Sequence, residues 1–267
     1  MTETPAPLRD AATVVLVRDG NHGIEVFLQR RVAQMAFAGG MTVFPGGGVD
    51  PRDSEADLSW TGPEPSWWAE QFSTTTELAQ ALVCAAVRET FEECGVLLAS
   101  TQRGEFGDPA SLRDDRAGLV DKRLSLARFL RQHEFTLRAD LLRPLAHWIT
   151  PVNERRRYDT RFFLAAVPAG QEPDDSTSEA DVARWASASD ALEAFSAGKH
   201  FLLPPTWTQL TEVASYSTVA ELLAAPRTIE PVEPAVSAGK GLAGLAFAHS
   251  DDYFAEMGDH VPPDLTR

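Results

Sequence analysis

Residues 88–96 read Arg-Glu-Thr-Phe-Glu-Glu-Cys-Gly-Val and place three carboxylates, Glu89, Glu92 and Glu93, at i, i+3 and i+4 of a segment with helical periodicity. That spacing puts all three on one face. Like charges so close weaken a helix by roughly 0.2–0.5 kcal/mol per pair, and Gly95 ends this one as a left-handed cap, so the acids also crowd its negative dipole end. The arrangement calls for a cation. A solvated acidic face is the alternative, but Leu78, Leu82, Ala85 and Ala86 share the carboxylate stripe, while Val83, Val87 and Phe91 cover other sides. A helix apolar nearly all round is buried, and buried acids are tolerated only with positive charge beside them. Hard oxygen ligands of this kind suit Mg²⁺ or Mn²⁺.

Upstream, Val43-Phe44-Pro45-Gly46-Gly47-Gly48-Val49-Asp50-Pro51 reads as a strand running into a glycine loop that offers backbone groups at close range. Together the two segments resemble the signature of the Nudix (MutT-like) hydrolases, Gly-x5-Glu-x7-Arg-Glu-U-x-Glu-Glu-x-Gly-U, where U is aliphatic. Arg88, Glu89, Glu92, Glu93, Gly95 and Val96 match its second half, and Thr90 stands where an aliphatic residue is usual. The signature is split: with Gly47 as its first glycine, Asp53 falls at the first Glu position and residues 54–76 intervene before the helix.

The resemblance implies an α/β fold, the Nudix-type α/β/α sandwich with a mixed sheet, plus helical additions. Residues 1–225 would form the hydrolase domain, with an insertion at about 54–76 and a helical segment at about 110–134. Residues 226–267 would be an extension, irregular or wrapping the core. The implied chemistry is metal-dependent hydrolysis of a diphosphate bond in a nucleoside diphosphate derivative. Divalent ions would stabilise charge on phosphoryl oxygens and activate the attacking water. By the resemblance, Glu89, Glu92 and Glu93 hold Mg²⁺ or Mn²⁺, with Glu92 and Glu93 at the reacting centre. The Gly47 carbonyl adds a ligand, and Arg88 pairs with a signature carboxylate to orient it. The general base comes from outside the signature: Glu179 is the first choice, with Glu154 and Asp159 as alternatives.

Arg155, Arg156, Arg157 and Arg161 surround Tyr158 just before an expected strand at 162–167. Such a cluster offers guanidinium forks for phosphates and an aromatic face for a base. Arg157, Tyr158 and Arg161 are the substrate-binding candidates from this cluster, joined by Arg30 and Arg31 at the end of the second strand. An exposed basic turn is the other reading. The pieces from Met35 to Gly47, Trp148-Ile149-Thr150-Pro151, Arg156 to Phe163 and Leu202 to Thr206, with the split signature, are similar to the Nudix branch of acyl-coenzyme A diphosphatases. That branch implies release of 3′,5′-ADP and 4′-phosphopantetheine or its acyl form. Gly40-x3-Phe44-Pro45-Gly46-Gly47 matches the end of a coenzyme A hydrolase pattern, but Ala36 replaces its arginine. Hydrolysis of NAD(H), ADP-ribose or capped RNA stays open, as does a nucleotide-binding Nudix module without catalysis.

The remaining elements must position these groups. Ala12–Val17 and Ile24–Leu28 read as a hairpin, Met41–Phe44 and Val96–Ala99 as strands, and 112–133 as one helical stretch. Leu145–Thr150, Phe162–Val167 and Val182–Trp185 read as strands, and 188–195 and the segment after Pro204-Pro205 as helices. The insertion carries Trp60, Trp67 and Trp68, as a lid or a packed excursion. Composition is that of a globular protein, 43% hydrophobic and 24% charged. A net charge of −15 argues against non-specific nucleic-acid binding. No stretch reads as a membrane span or signal peptide, so a cytoplasmic location is expected. The expected partner is a small-molecule nucleoside diphosphate derivative, with oligomeric state left open and a homodimer among the options. Cys84 and Cys94 lie on one helix ~15 Å apart, too far to bridge, and read as buried thiols.

Overall fold

The computed structural model describes residues 5–32, 40–55, 57–174, 180–237 and 244–260. Leu8–Gly20 (β1) and Gly23–Arg31 (β2) form the expected hairpin, with Gly20 opposite Gly23. Thr42–Val43 (β3) pairs with β2, and the glycine segment Gly46–Gly48 (β4) pairs with β1. Trp60–Thr61 (β5), Pro65–Phe72 (α1) and Thr76–Cys94 (α2) follow. Next come Ala99–Ser100 (β6), Arg113–Val120 (α3), Leu126–Gln132 (α4) and Thr136–Arg138 (β7), and β5, β7 and β6 make a small sheet. Leu142–Ile149 (β8), Arg157–Ala166 (β9) and Ala180–Ser187 (β10) return to the main sheet. Ala188–Ser196 (α5), Pro204–Ala214 (α6) and Val219–Ala224 (α7) cover its far face. Pro231–Val232 (β11), Ala235–Val236 (β12), Leu245–Ala246 (β13) and Ser250–Met257 (α8) complete the described chain.

The main sheet runs β10-β2-β1-β9-β8-β11 and is mixed, because β1 lies parallel to β9 while β1 and β2, and β8 and β9, are antiparallel. Both faces are covered, which explains why β1 is apolar without alternation. Val14 and Leu16 pack with Leu82, Val83 and Phe91 of α2, whereas Val15 and Val17 pack with Phe195, Trp207 and Tyr253 of α5, α6 and α8. This is the α/β/α sandwich.

Three expectations are corrected here. The stretch 112–133 is two helices, because Lys122 takes a left-handed backbone (φ 57°) and Ser125 caps a new helix by accepting from the Arg128 N–H. Val96–Leu98 is buried but not in a strand; the side-chain amide of Gln171 takes the place of a neighbouring strand by bonding both Leu97 N and Leu97 O. The β9 strand begins at Arg157, so Arg157, Tyr158 and Arg161 lie within the sheet and only Arg155 and Arg156 stand ahead of it. The residues after 225 build core: β11 extends the sheet beside β8, and Tyr253 of α8 is fully buried with its hydroxyl donating to Leu202 O. Cys84 and Cys94 are free and buried.

The insertion is a packed excursion. Trp68 is fully buried, with its ring 5.5 Å from Phe163 of the sheet and 6.2 Å from Phe72, while Trp67 is partly exposed. Trp68→Ala should therefore cost about 3–5 kcal/mol, the usual range for deleting a buried large aromatic, read as a lower urea midpoint. A change under about 0.5 kcal/mol, the scale of surface substitutions, would show that the insertion is not part of the core.

Candidate active site

Helix α2 begins where Thr75 Oγ1 accepts from Leu78 N and ends at Gly95, whose left-handed backbone (φ 73°) lets its N–H return to Phe91 O. The other last carbonyls of α2 find donors from distant parts of the chain. Glu92 O accepts from Arg116 Nε of α3, Glu93 O from Gln29 Nε2 of β2, and Cys94 O from the Asp174 backbone N–H. Asp174 also takes Arg116 Nη1 at 2.7 Å. The helix end that carries the acids is thus held by β2, α3 and the loop after β9, satisfying the groups that a helix terminus leaves open.

The Arg88 guanidinium lies at the centre of the site. Its Nε and Nη2 hold the two Asp53 oxygens at 2.9 and 3.0 Å, Nη1 donates to Glu89 at 2.7 Å and Glu92 at 3.2 Å, and Nη2 also reaches Gly48 O at 2.9 Å. Asp53, standing at the first Glu position of the split signature, is only 2% exposed and is presented by a 3-10 turn, Pro51–Ser54, capped by Asp50. Glu93 accepts the Gly46 N–H at 2.9 Å. The Glu89 carboxylate lies so near Gly47 that a Cβ there would sit 2.6 Å from its Cδ. The carboxylates and residues 46–48 therefore form one wall, as the sequence implies. Thr90 fits its usually aliphatic slot by donating its hydroxyl to Ala86 O.

Three carboxylates, Asp53, Glu89 and Glu92, share the one Arg88 guanidinium, with Glu93 beside them on the Gly46 N–H. Burial pushes the Glu89 pKa up to about 7 against the pull of Arg88, and burial raises Glu92 as well. The donor set fits a hard divalent cation, with Glu89, Glu92, Glu93 and the Gly47 carbonyl as the groups that would hold it. Among the described residues the carboxylates are not drawn together as a ready-made cage, since Arg88 holds Glu89 and Glu92.

These groups open onto a cleft of about 1930 Å³. Arg31 and Tyr158 line it; Arg30, Arg157 and Arg161 do not. The reason is the period of two along β9. Tyr158, Thr160 and Phe162 share the cleft face, whereas Arg157, Asp159 and Arg161 point to the other. There Arg157 pairs with Glu233 at 2.6 Å, and Arg161 pairs with Asp10 and Asp159, both at 2.9 Å. Arg157 thus ties the sheet to the tail and Arg161 ties β9 to β1, so both are engaged in ion pairs on the face away from the cleft rather than placed toward a substrate. Asp159 is a poor candidate base on the same ground: burial opposes its charge, but His147 and Arg161 outweigh burial and hold the carboxyl below its usual range. Glu154 is exposed on the cleft rim, and Glu179 lies outside the described residues, as does Ala36. Sequence reasoning missed Arg9, Arg113, Arg116 and Lys122, which also line the cleft. Arg9 sits opposite Tyr158 in the β1–β9 register, a long-range pairing with no local signal.

Two substitutions separate the roles. Asp53→Ala strips a buried guanidinium of its bidentate partner and should cost about 3–5 kcal/mol in urea unfolding. Gly47→Ala pushes the Glu89 carboxylate off its place beside Arg88 but leaves the Asp53–Arg88 pair intact, so it should cost less stability than Asp53→Ala while kcat falls ~10–100-fold, as for disturbed ligand orientation. Equal effects of the two on stability would contradict this division.

Residues 70–213, more than half of the chain, match the family model described as the NUDT19 Nudix domain. The chain is similar to the acyl-coenzyme A diphosphatase NUDT19 of Xenopus laevis, at 23% identity over 83% of this chain and 73% of that protein. It is similar to the Homo sapiens protein of the same name at 28% identity over 75% of this chain, spanning 63% of that protein's length. Among solved structures, a Nudix hydrolase from Alicyclobacillus acidocaldarius aligns with a TM-score of 0.73 and 30% identity, covering 84% of this chain and 98% of its own. Nudix hydrolases generally use divalent metal cations, in keeping with the acid-rich wall. The chain belongs to the NUDT19 Nudix domain family and is a Nudix hydrolase.

Proposed function

We propose that this enzyme hydrolyses the diphosphate of coenzyme A or its thioesters, giving 3′,5′-ADP and 4′-phosphopantetheine or its acyl form, with Mg²⁺ or Mn²⁺. The observation that carries the reading is the buried carboxylate wall beside the glycine segment, opening onto a cleft much larger than one phosphate needs. The acyl-coenzyme A diphosphatases named among its relatives supply the substrate class.

When bound, the metal supplies charge stabilisation at the phosphoryl oxygens and an acidified water. Glu89, Glu92, Glu93 and the Gly47 carbonyl would hold it, and Arg88 fixes the directions of Glu89 and Glu92. Arg31, Arg9, Arg113 and Lys122 offer cationic contacts for the phosphates along the cleft. Tyr158, beside Arg9, offers an aromatic face for adenine. Water oxygen bonds to one phosphorus, the bridging P–O bond breaks, and the proton goes to a carboxylate base. Glu179 remains the first choice for that base, with Glu154 on the cleft rim as its alternative.

A product assay by mass spectrometry over coenzyme A, acetyl-coenzyme A, NADH, ADP-ribose and capped RNA tests the reading. With Mg²⁺ or Mn²⁺, 3′,5′-ADP should appear from the coenzyme A species, and a chelator should abolish it. Glu93→Gln should lower kcat by ~10²-fold or more, equivalent to several kcal/mol of lost charge stabilisation. Coenzyme A left intact while a dinucleotide is cleaved would refute the substrate. No turnover on any diphosphate would point to a nucleotide-binding module.

A further inference from the structure

At about 1930 Å³ the cleft exceeds the roughly 300–1,000 Å³ that small-molecule sites occupy. Part of its wall is apolar. Trp148 of β8 and Pro204 of α6 are joined there by Pro234, Val236 and Leu245, which belong to the tail beyond the family-matched residues 70–213. Val236 and Leu245 are directly opposed partners in the β12–β13 ribbon, so their side chains stand together on one face.

An isolated two-stranded ribbon is marginal in water, but this one is fastened at both ends. Just before it, Glu233 takes Arg157 Nη2 at 2.6 Å, and the preceding β11 is paired with β8. Just after it, the Phe247 ring meets Trp148 at 5.6 Å and Tyr253 at 5.7 Å, both edge-on. The ribbon is therefore a fixed wall of the cleft. Its cleft-facing side chains are hydrocarbon without hydrogen-bonding groups.

We propose that Val236 and Leu245 form one wall of a subsite for the acyl chain of a coenzyme A thioester and set the preference for acylated substrate. The inference rests on the coenzyme A reading above and adds which part of the substrate the tail recognises. The nucleotide, its phosphates and the two amides of the pantetheine arm all need polar partners that this ribbon does not offer. The acyl chain needs none, and burying it against Val236 and Leu245 should raise kcat/KM about threefold per methylene while the wall extends.

The test compares kcat/KM of the full chain for coenzyme A, acetyl-coenzyme A and octanoyl-coenzyme A, each as wild type, Val236→Thr and Leu245→Asn. Val236→Thr keeps the shape and exchanges one methyl for a hydroxyl, so it reports even if Leu245→Asn folds poorly. Wild type should prefer octanoyl-coenzyme A to coenzyme A by at least about tenfold, mostly through KM. Each variant should cut that ratio by at least about threefold. A wild-type ratio near one, or a ratio unmoved in both variants, would overturn the inference and leave the diphosphatase reading standing. Failure to cleave any coenzyme A species while another diphosphate is cleaved would overturn both.

Discussion

Arg88 carries a charge that burial would make untenable on its own. Its guanidinium is accommodated by donating to Asp53, Glu89, Glu92 and the Gly48 carbonyl at once. A buried ion of this kind is stable only when its hydrogen bonds are filled, so the position of Arg88 fixes the 3-10 turn bearing Asp53, the glycine strand and the acid end of α2 relative to one another. The split signature is reassembled in space by that one side chain. Its cost is that two metal-ligand candidates are engaged with Arg88, which orients them while leaving the set as a whole strongly negative.

The end of α2 is a second convergence. A run of acids at a helix C-terminus is opposed by the helix dipole, and the terminal carbonyls need donors as well. Gly95, Arg116, Gln29 and the Asp174 amide each provide one. Arg116 brings a positive charge to that negative end and is itself held by Asp174. Helix α3, the second strand and the loop after β9 therefore all bear on the geometry of Glu92 and Glu93. This is why the chain's additions to a compact hydrolase core are integral to the site.

Much of this was legible in the residues. The i, i+3, i+4 acids, the apolar remainder of the helix and the left-handed glycine follow from a period of 3.6 and local backbone preference, and the structure has them in that form. Asp53 emerged from aligning Gly47 with the start of the signature. The arginine segment misled because composition alone does not reveal alternation. Once 157–166 is a strand, every second residue turns away from the cleft, and Arg157 and Arg161 find Glu233 and Asp10 far along the chain. The tail reads as irregular or wrapping the core because its described strands are two residues long and its described helix is short.

By itself, then, the sequence determined the chemistry of the helix end and the class of fold, since helix periodicity, caps and glycine requirements act over a few residues. It also placed an acid-rich wall beside a glycine turn. Only the tertiary structure decided which arginines face the cleft, which are locked in buried pairs, and that the tail forms part of the cleft wall. Those outcomes depend on contacts between residues dozens to more than a hundred positions apart, whose energies no local pattern encodes.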